Sequence, residues 1–220
     1  MRNMTKRRRY MLASEKVPRV PEEYQEVAWL RGTGSQWCSI PYRLGFSNGH
    51  FYGLKGDITQ VSSDTYSKFC ISSEVGLASQ SLYYRMWGAR LNSGMNAGES
   101  PIVFPRYRDP NDYHFEINRN SIVINDYVVN NPNYTQELGQ TIELGARQAT
   151  NDSRLIENAN VEIKSIIITY DDQKLAEFIP CYRKYDNKAG LFYWIDYSQG
   201  TSGFITNSAS GSDFLVGPDV

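Results

Sequence analysis

The sequence predicts an all-β fold, either a sandwich or a barrel of antiparallel strands. Apolar and polar residues alternate with a period of two along much of the chain, and helical periodicity is nearly absent. Stretches rich in Asn, Asp, Gly and Ser separate about a dozen short strand-like segments, a spacing typical of sandwiches and barrels. Strands do not alternate with helical segments, so the pattern does not indicate a parallel α/β sheet.

Three consecutive antiparallel strands are predicted near the middle of the chain. Residues 122–124 (Ile-Val-Ile) and 127–129 (Tyr-Val-Val) flank Asn125-Asp126, a pair that tolerates the left-handed backbone of a two-residue turn. Residues 114–117 lead through residues 118–120 into the first of these strands.

The C-terminal half continues the same pattern. Residues 141–147 place apolar side chains on one face, and residues 161–170 form a long β-branched run in which Ser165 interrupts the apolar face. Further strands are predicted at residues 175–181, 191–194 and 204–206.

Two residues near the C-terminus predict local geometry. Pro180 has no amide hydrogen, which favours an edge or terminal strand. Gly190 is expected to let the backbone reverse before Leu191 and Phe192 return to the core. The tryptophans are expected in the core: Trp29, Trp37, Trp87 and Trp194.

Length and composition favour one folded domain. A chain of 220 residues is long enough for one large sandwich or two small domains, and no Pro/Ser-rich linker divides it after Pro21. We therefore expect an arm at residues 1–20 and a single domain at residues 21–220. No apolar run approaches the roughly 20 residues of a membrane-spanning helix, so a soluble protein is expected.

The first 20 residues form a basic arm on a mildly acidic body. They contain seven Lys or Arg and one Glu, whereas the other 200 residues contain 16 basic and 23 acidic side chains. Two interpretations are open: the arm contacts nucleic acid or an acidic partner, or it is a solvated leader. The run is short and no basic face extends it, so nucleic acid is the less favoured partner. The central basic residues are Lys6, Arg7, Arg8 and Arg9.

Secretion, disulfide and metal patterns are not evident. The apolar stretch at residues 10–13 is shorter than the roughly 7 to 15 residues of a secretion signal. Cys38, Cys70 and Cys181 are odd in number and widely spaced, which favours three buried thiols over a disulfide framework. Two histidines without a cysteine cluster do not indicate a zinc site. No cofactor is expected. Asn151-Asp152 and Asp171-Asp172 are the candidate contributors to a calcium site, but no loop of recognisable spacing indicates the ion.

The two ends of the domain carry a resemblance. The opening has the form P-x-x-Y-x-x-V followed by T-G-S-Q at residues 33–36. The closing segment has I-P-C-Y-R-K, G-L-F, F-I-T-N, G-S-D-F and G-P-D-V between residues 179 and 220. Together they resemble the ends of concanavalin A-like (laminin G-like) jelly-roll domains in tail, fibre and surface proteins of phages and prophages of gut bacteria. Two departures are Tyr193-Trp194 before Ile195-Asp196 and the segment Trp37-Cys38-Ser39.

The resemblance implies a scaffold and a setting. It implies an antiparallel jelly-roll β-sandwich whose two terminal motifs pack together, located in a virion or an extracellular surface assembly. The implied function is a non-catalytic carbohydrate-binding or host-attachment module with a cell-surface glycan as partner. The alternative is a structural virion protein, for decoration, fibre or tail, anchored to neighbouring virion proteins by its basic arm. A homo-oligomer is implied in either case, with a trimer as the expected state.

Glycan cleavage is the less favoured function. Jelly-roll glucanases carry E-x-D-x-E strings that place two carboxylates on one face, and no such string occurs here. Polysaccharide lyases would use Tyr, His and Arg, and His114 and Glu116 would face the same way on one strand and pair. The lyase candidates are Tyr113, His114, Arg106, Arg108 and Arg119.

The predicted ligand site lies in residues 101–114. Sugar sites combine aromatic rings with charged and amide groups that fix the hydroxyls, and this segment concentrates both kinds of residue. The alternative is an ordered crossover loop whose tyrosines cover the rim of the sandwich. The candidate ligand contacts are Tyr107, Arg108, Asp109, Asp112 and Tyr113.

Overall fold

The structure is a computed structural model of the chain. It describes residues 19–33, 36–61, 68–74, 81–87, 90–95, 102–103, 111–130, 141–150, 153–156, 159–196, 198–208 and 212–220. Every regular element in these ranges is a β-strand, which confirms the all-β prediction. These ranges contain no helix with the length and apolar character needed to cross a membrane.

Twenty strands are numbered in chain order. They are β1 (Tyr24–Glu26), β2 (Leu30–Thr33), β3 (Cys38–Ile40), β4 (Gly45–Ser47), β5 (His50–Gln60), β6 (Lys68–Glu74), β7 (Ser81–Trp87), β8 (Arg90–Met95), β9 (Ile102–Val103), β10 (Asn111–Asn118), β11 (Ser121–Ile124), β12 (Tyr127–Asn130), β13 (Ile142–Leu144), β14 (Ala146–Thr150), β15 (Ser153–Ile156), β16 (Ala159–Tyr170), β17 (Gln173–Arg183), β18 (Ala189–Asp196), β19 (Thr201–Thr206) and β20 (Leu215–Val216).

The larger sheet has 12 strands, and its described pairs are antiparallel. Its main path runs β12-β11-β10-β5-β16-β17-β18-β19. Four short strands join this path: β1 pairs with β17, β2 with β16, β4 with β5, and β20 with β2. Strands β10, β5 and β16 are therefore neighbours in the interior of the sheet.

The second sheet shares a core with the first. It has six strands in the order β3-β13-β6-β7-β8-β9, and β14 and β15 form a separate pair. Ile40 and Leu144 of this sheet belong to one buried cluster with Leu54, Phe115 and Ile166 of the larger sheet. Burying one face of each sheet in a common core is the arrangement of a β-sandwich.

The three predicted central strands are present. Strands β10, β11 and β12 follow one another through two-residue turns, with Asn118 opposite Ser121 and Ile124 opposite Tyr127. Asn125 has φ 52°, the left-handed conformation that its side chain makes accessible. The prediction of strands joined by Asn125-Asp126 is confirmed.

The prediction of one strand at residues 141–147 is wrong, although Ile142 and Leu144 are buried on the predicted apolar face. Gly145 has φ 83° and separates β13 from β14, so the segment is two strands. Glu143 between Ile142 and Leu144 is buried as well, so both faces of β13 are covered. Alternation in the sequence therefore does not mark a solvent-facing side here.

Pro180 and Gly190 lie inside paired strands, which corrects both sequence predictions. Pro180 pairs with Leu191 of β18, and its carbonyl accepts the amide of Val27 at 3.0 Å. Pro180 has no amide to return to Val27, and the β1 ladder ends there while β17 continues. Gly190 lies within β18, and glycine is required there because a Cβ would lie 2.3 Å from the carbonyl oxygen of Ile205.

The two ends of the domain pair with each other, as the sequence analysis expected. Strand β1 pairs with β17, and β2 pairs with β20. An isolated bridge joins Val27 to Asp219. The buried Gln36 side chain adds hydrogen bonds to Thr33 and, at 2.9 Å, to the Ser212 hydroxyl. We call this set of contacts the terminal seam.

Arg19 and Val20, assigned to the arm by sequence, pack against the body. The Arg19 guanidinium bonds to the carboxylates of Glu26 and Glu177. Val20 is buried in a second cluster with Phe192. The remaining arm residues, including Lys6, Arg7, Arg8 and Arg9, lie outside the described residues.

The tryptophans with described side chains are half-buried, so the prediction of core positions is wrong for them. Trp29 packs on Gly217 with the Arg31 guanidinium 5.1 Å from its ring centre. The Trp194 indole donates to the carbonyl of Arg19 at 3.1 Å. An indole has a polar N–H group on an otherwise apolar ring. Trp29 and Trp194 therefore cover the terminal seam without entering the core. Trp37 is half-buried as well.

Cys38 and Cys181 are buried free thiols, in agreement with the sequence analysis. Burial raises the pKa of each thiol to about 12, which keeps it protonated and chemically inert.

Candidate functional site

Strands β10, β5 and β16 carry a polar face on the side of the sheet away from the core. Alternate residues of a strand point to opposite sides, so Leu54 and Ile58 enter the core while Asp57 between them is exposed. The strand register then aligns polar residues across the three strands. The aligned pairs are Thr59–Asp112, Asp57–His114, Lys55–Glu116 and Asp57–Ser165.

An open pocket of about 450 Å³ lies on this face. It is formed by β5 and the two strands that flank it, together with the turn between β11 and β12. Its polar lining residues are Asp57, Asp112, His114, Asn125, Lys164 and Ser165. We call this the polar pocket.

His114 links two carboxylates at the side of the polar pocket. Its Nδ1 lies 2.8 Å from Oδ1 of Asp57, and its Nε2 lies 3.0 Å from Oε1 of Glu116. The hydrogen bond to Glu116, followed by that to Asp57, raises the pKa of His114. The imidazole therefore favours the doubly protonated form that donates to both carboxylates.

Glu116 is held in its ionised form. Partial burial opposes its charge, but hydrogen bonds from Asn118, His114 and Lys55 outweigh burial and lower the pKa of Glu116 to about 2. The Lys55 ammonium lies 2.9 Å from Oε2 of Glu116.

These shifts predict a pH window of greatest stability. The raised pKa of His114 gives stabilisation that is complete below its unfolded value of 6.5 and is lost as pH rises through the folded value. The lowered pKa of Glu116 gives stabilisation that is present above its unfolded value of 4.5 and is lost as pH falls. Both contributions are present between these two unfolded values.

Urea unfolding across this range checks the prediction. We expect His114→Gln to flatten the fall in unfolding free energy above the upper limit of the window. Parallel pH profiles for the wild type and His114→Gln would contradict it.

Asp112 presents an ionised oxygen to the pocket. The Thr59 hydroxyl and the Lys164 ammonium, the latter at 2.8 Å, both donate to its Oδ1. These bonds, that of Lys164 foremost, lower the pKa of Asp112. Its side chain is 75% exposed, and Oδ2 accepts no hydrogen bond from any residue that the structure describes. This oxygen is placed to accept a hydrogen bond from a ligand.

A β-bulge in β16 brings two successive residues to the pocket. Ile163 pairs with Ile58 and Ser165 pairs with Asp57, so Lys164 is the extra residue. Both Lys164 and Ser165 line the pocket as a result. The Ser165 that interrupts the apolar pattern in the sequence marks this bulge.

Asn125 fixes the turn beside the pocket. Its Oδ1 accepts the amide of His114 at 2.7 Å, and its Nδ2 donates to the carbonyl of Asp112 at 3.2 Å. These two hydrogen bonds hold the β11–β12 turn against β10 and so fix this wall of the pocket.

In the polar pocket, the serine hydroxyl is bonded to a carboxylate and not to the imidazole of His114. The Ser165 hydroxyl donates to Oδ2 of Asp57 at 2.7 Å, and His114 faces carboxylates on both of its nitrogens. A serine nucleophile would instead need its hydroxyl bonded to the imidazole.

The sequence-predicted ligand residues divide into three groups. Asp112 lines the pocket with a strongly exposed side chain. Tyr113 belongs to the buried core at 3% exposure and also contributes to the lining of the pocket, and its role as a ligand contact stays a prediction. Its burial follows from the strand geometry, since neighbouring residues of β10 face opposite sides. The other predicted contacts lie outside the described residues: Tyr107, Arg108 and Asp109.

The lyase candidates are also separated. His114 pairs with Glu116, as expected for two residues on one side of a strand. Arg119 lies at the far end of β10, in the turn to β11, and it bonds to the carbonyl of Gly49. Arg106 lies outside the described residues.

Three pocket residues were not identified from the sequence. Asp57, Lys164 and Ser165 reach the pocket only because β5 pairs with both β10 and β16. The alternation of Lys55, Asp57 and Thr59 was the available signal, since it marks one polar face of a strand.

Metal binding has little support in the described part of the chain. No group of three or more His, Cys, Asp or Glu side chains there is arranged to hold an ion. Asp171, one of the carboxylates considered for calcium, bonds to His50 and to the amide of Phe51.

Comparison with models of known protein families finds no match for this chain. A search of curated proteins likewise finds no relative.

Proposed function

We propose that this protein is a non-catalytic carbohydrate-binding domain that attaches a phage particle or a bacterial surface assembly to a glycan. The observation that carries the proposal is the polar pocket on the exposed face of β10, β5 and β16. It combines carboxylate, ammonium, hydroxyl and imidazole groups within one open depression.

These groups suit a ligand with many hydroxyls. A hydroxyl both donates and accepts, so it can bond to Oδ2 of Asp112 and accept from the Lys164 ammonium in one place. Bonds to charged groups contribute about 1.5 to 3 kcal/mol each, more than bonds between neutral groups. The fixed partners Thr59 and Asn125 hold the pocket before a ligand arrives, which lowers the entropic cost of binding.

The proposed scaffold is a jelly-roll sandwich of the concanavalin A-like type. Two antiparallel sheets with a common core and a terminal seam are compatible with that topology. The resemblance of the terminal motifs supports the same scaffold and the phage or bacterial surface setting.

The ionisation of the carboxylates favours binding over cleavage. A glycosidase needs one carboxyl group with a raised pKa to protonate the leaving oxygen. Asp112 and Glu116 both have lowered pKa values, so they are ionised at neutral pH.

A structural virion role is the second candidate, and the anchoring of Arg19 favours it. Its bonds to Glu26, Glu177 and Trp194 hold the residue that follows the basic segment 1–18 against the body. A fixed attachment point suits an arm that binds a neighbouring subunit in an assembly, for which we propose a trimer. Deletion of residues 1–18 would abolish incorporation into particles if this role holds, and would leave glycan binding intact if the pocket is the functional site.

A glycan array probed with the full chain tests the proposal. We expect saturable binding to at least one class of bacterial surface glycan, with no release of new reducing ends from that glycan. A folded chain that binds no glycan on the array, or that cleaves one, would overturn it.

A further inference from the structure

A second surface cluster lies at the opposite end of β5 from the polar pocket, where three hairpin turns meet. Strand β5 is antiparallel to β10 and β16, so its start lies beside their ends. The turns are Asn48-Gly49 between β4 and β5, Arg119-Asn120 between β10 and β11, and Asp171-Asp172 between β16 and β17. We call their meeting point the turn cluster.

Short hydrogen bonds lock the three turns together. Asp171 accepts the amide of Phe51 at 2.9 Å and donates its own amide to the carbonyl of Phe51 at 2.8 Å. The Arg119 guanidinium donates to the carbonyl of Gly49 at 2.7 Å and lies 4.0 Å from the Asp171 carboxylate. Asp171 and Asp172 have positive φ angles of 46° and 67°, as expected for a tight two-residue hairpin.

This rigid base carries an aromatic surface. The His50 ring stacks on Tyr170 with ring centres 4.9 Å apart and planes inclined by 25°. Tyr52 meets the same Tyr170 ring edge-on at 5.0 Å. Within the described part of the chain, Tyr170 is the ring contact of His50, and the His50 side chain remains 50% exposed. One face of the imidazole is therefore backed by Tyr170, and the other is accessible.

Charged groups stand at the rim of this exposed ring. His50 Nδ1 lies 2.6 Å from Oδ2 of Asp171, which fixes the orientation of the ring. The Arg119 side chain is 41% exposed, and its five N–H donors exceed what its contacts with Gly49 and Asp171 use. An accessible ring face with an arginine and a carboxylate beside it is the combination that binds one face of a sugar and its hydroxyls.

We propose that the turn cluster is a second saccharide subsite, in which a sugar ring stacks on the exposed face of His50 and bonds to Arg119 and Asp171. The inference shares its ligand class with the proposed function but uses different residues. His50 and Asp57 are seven residues apart on β5, or about 23 Å along the strand. An odd separation along one strand places the two side chains on opposite faces of the sheet, so the two sites would bind saccharide independently of each other.

The chain offers a direct test because its two histidines report the two sites separately. His50 lies in the turn cluster and His114 in the polar pocket. The imidazole C–H signals of the full chain, assigned with His50→Gln and His114→Gln, are followed by NMR. The probes are the methyl glycosides of glucose, galactose, mannose and N-acetylglucosamine.

The inference expects a saturable shift of the His50 signal with at least one glycoside. His50→Ala, which removes this reporter, is followed by calorimetry and is expected to weaken that binding roughly three- to tenfold, the range for loss of one ring contact. Saturable shifts of His114 alone would overturn the turn-cluster inference and leave the polar pocket standing. Saturable shifts of His50 alone would overturn the polar pocket as a binding site and leave the turn-cluster inference standing. Shifts of neither histidine would overturn both.

Discussion

Replacement of Phe178 by alanine is expected to lower the free energy of unfolding by about 3 to 5 kcal/mol, the range for removing a buried phenylalanine. Phe178 is fully buried on β17, and its ring lies 4.7 Å from Tyr193 and 5.9 Å from Tyr42. The variant loses the contacts of the ring and leaves a cavity that the paired strands around it cannot close.

Leu175→Ala on the same strand is the matched control. Leu175 is 45% exposed, so its truncation is expected to cost less than about 1 kcal/mol. Urea unfolding of the two variants measures the difference. Equal losses would contradict the placement of Phe178 in the core and of Leu175 at the surface.

The second large effect is expected at the terminal seam, from Gln36→Leu. The Gln36 amide oxygen accepts the backbone amide of Thr33 at 2.7 Å, and its nitrogen donates to the Ser212 hydroxyl and carbonyl. Leucine has nearly the same size but cannot bond, and each hydrogen bond lost costs about 1 kcal/mol, because Thr33 and Ser212 are exposed and can bond to water instead. The variant should therefore lose about 1 to 3 kcal/mol and release the last strand from β2.

Hydrogen exchange separates this local effect from general instability. In Gln36→Leu, the amides of β2 and β20 should exchange faster than they do in the wild type. The amides of β10 and β11, which lie away from the seam, should exchange at the wild-type rate. Gln173→Leu, at an exposed position, is the control and should leave both regions unchanged. Uniform acceleration throughout the molecule would contradict a local role for Gln36.

Local patterns in the sequence were sufficient for the β11–β12 hairpin. Asn125-Asp126 predicted a turn and forms one, because Asn reaches the left-handed conformation without a glycine. The pairing of the terminal segments was also anticipated, although from a resemblance and not from the residues alone.

Predictions about the faces of strands were less successful because they depend on what covers each face. Glu143 alternates correctly but is buried, as are Ile142 and Leu144 on the opposite face of β13. Pro180 suggested an edge, yet β17 is interior and only the short β1 ladder stops there. The sequence did not show that Tyr113, chosen as a ligand contact for its chemistry, belongs to the buried core.

The candidate site needed pairings that no local pattern supplies. Asp57 and His114 are 57 positions apart, and they meet because β5 and β10 are neighbours in the sheet. His50 and Asp171 are 121 positions apart and meet in the same way. The sequence located one side of the pocket, at Asp112 and His114, and the topology supplied the other side.

The central claim, that the polar pocket binds a glycan, is tested most directly by calorimetric titration of the strongest glycan from the array. The full chain is compared with the double variant Asp112→Ala/Lys164→Ala, and with Glu23→Ala, which removes an exposed carboxylate outside the pocket. We expect Glu23→Ala to bind as the wild type does, and the double variant to bind at least about tenfold more weakly because it loses charged hydrogen bonds to the ligand. Equal affinities of the wild type and the double variant, with both folded, would contradict the claim.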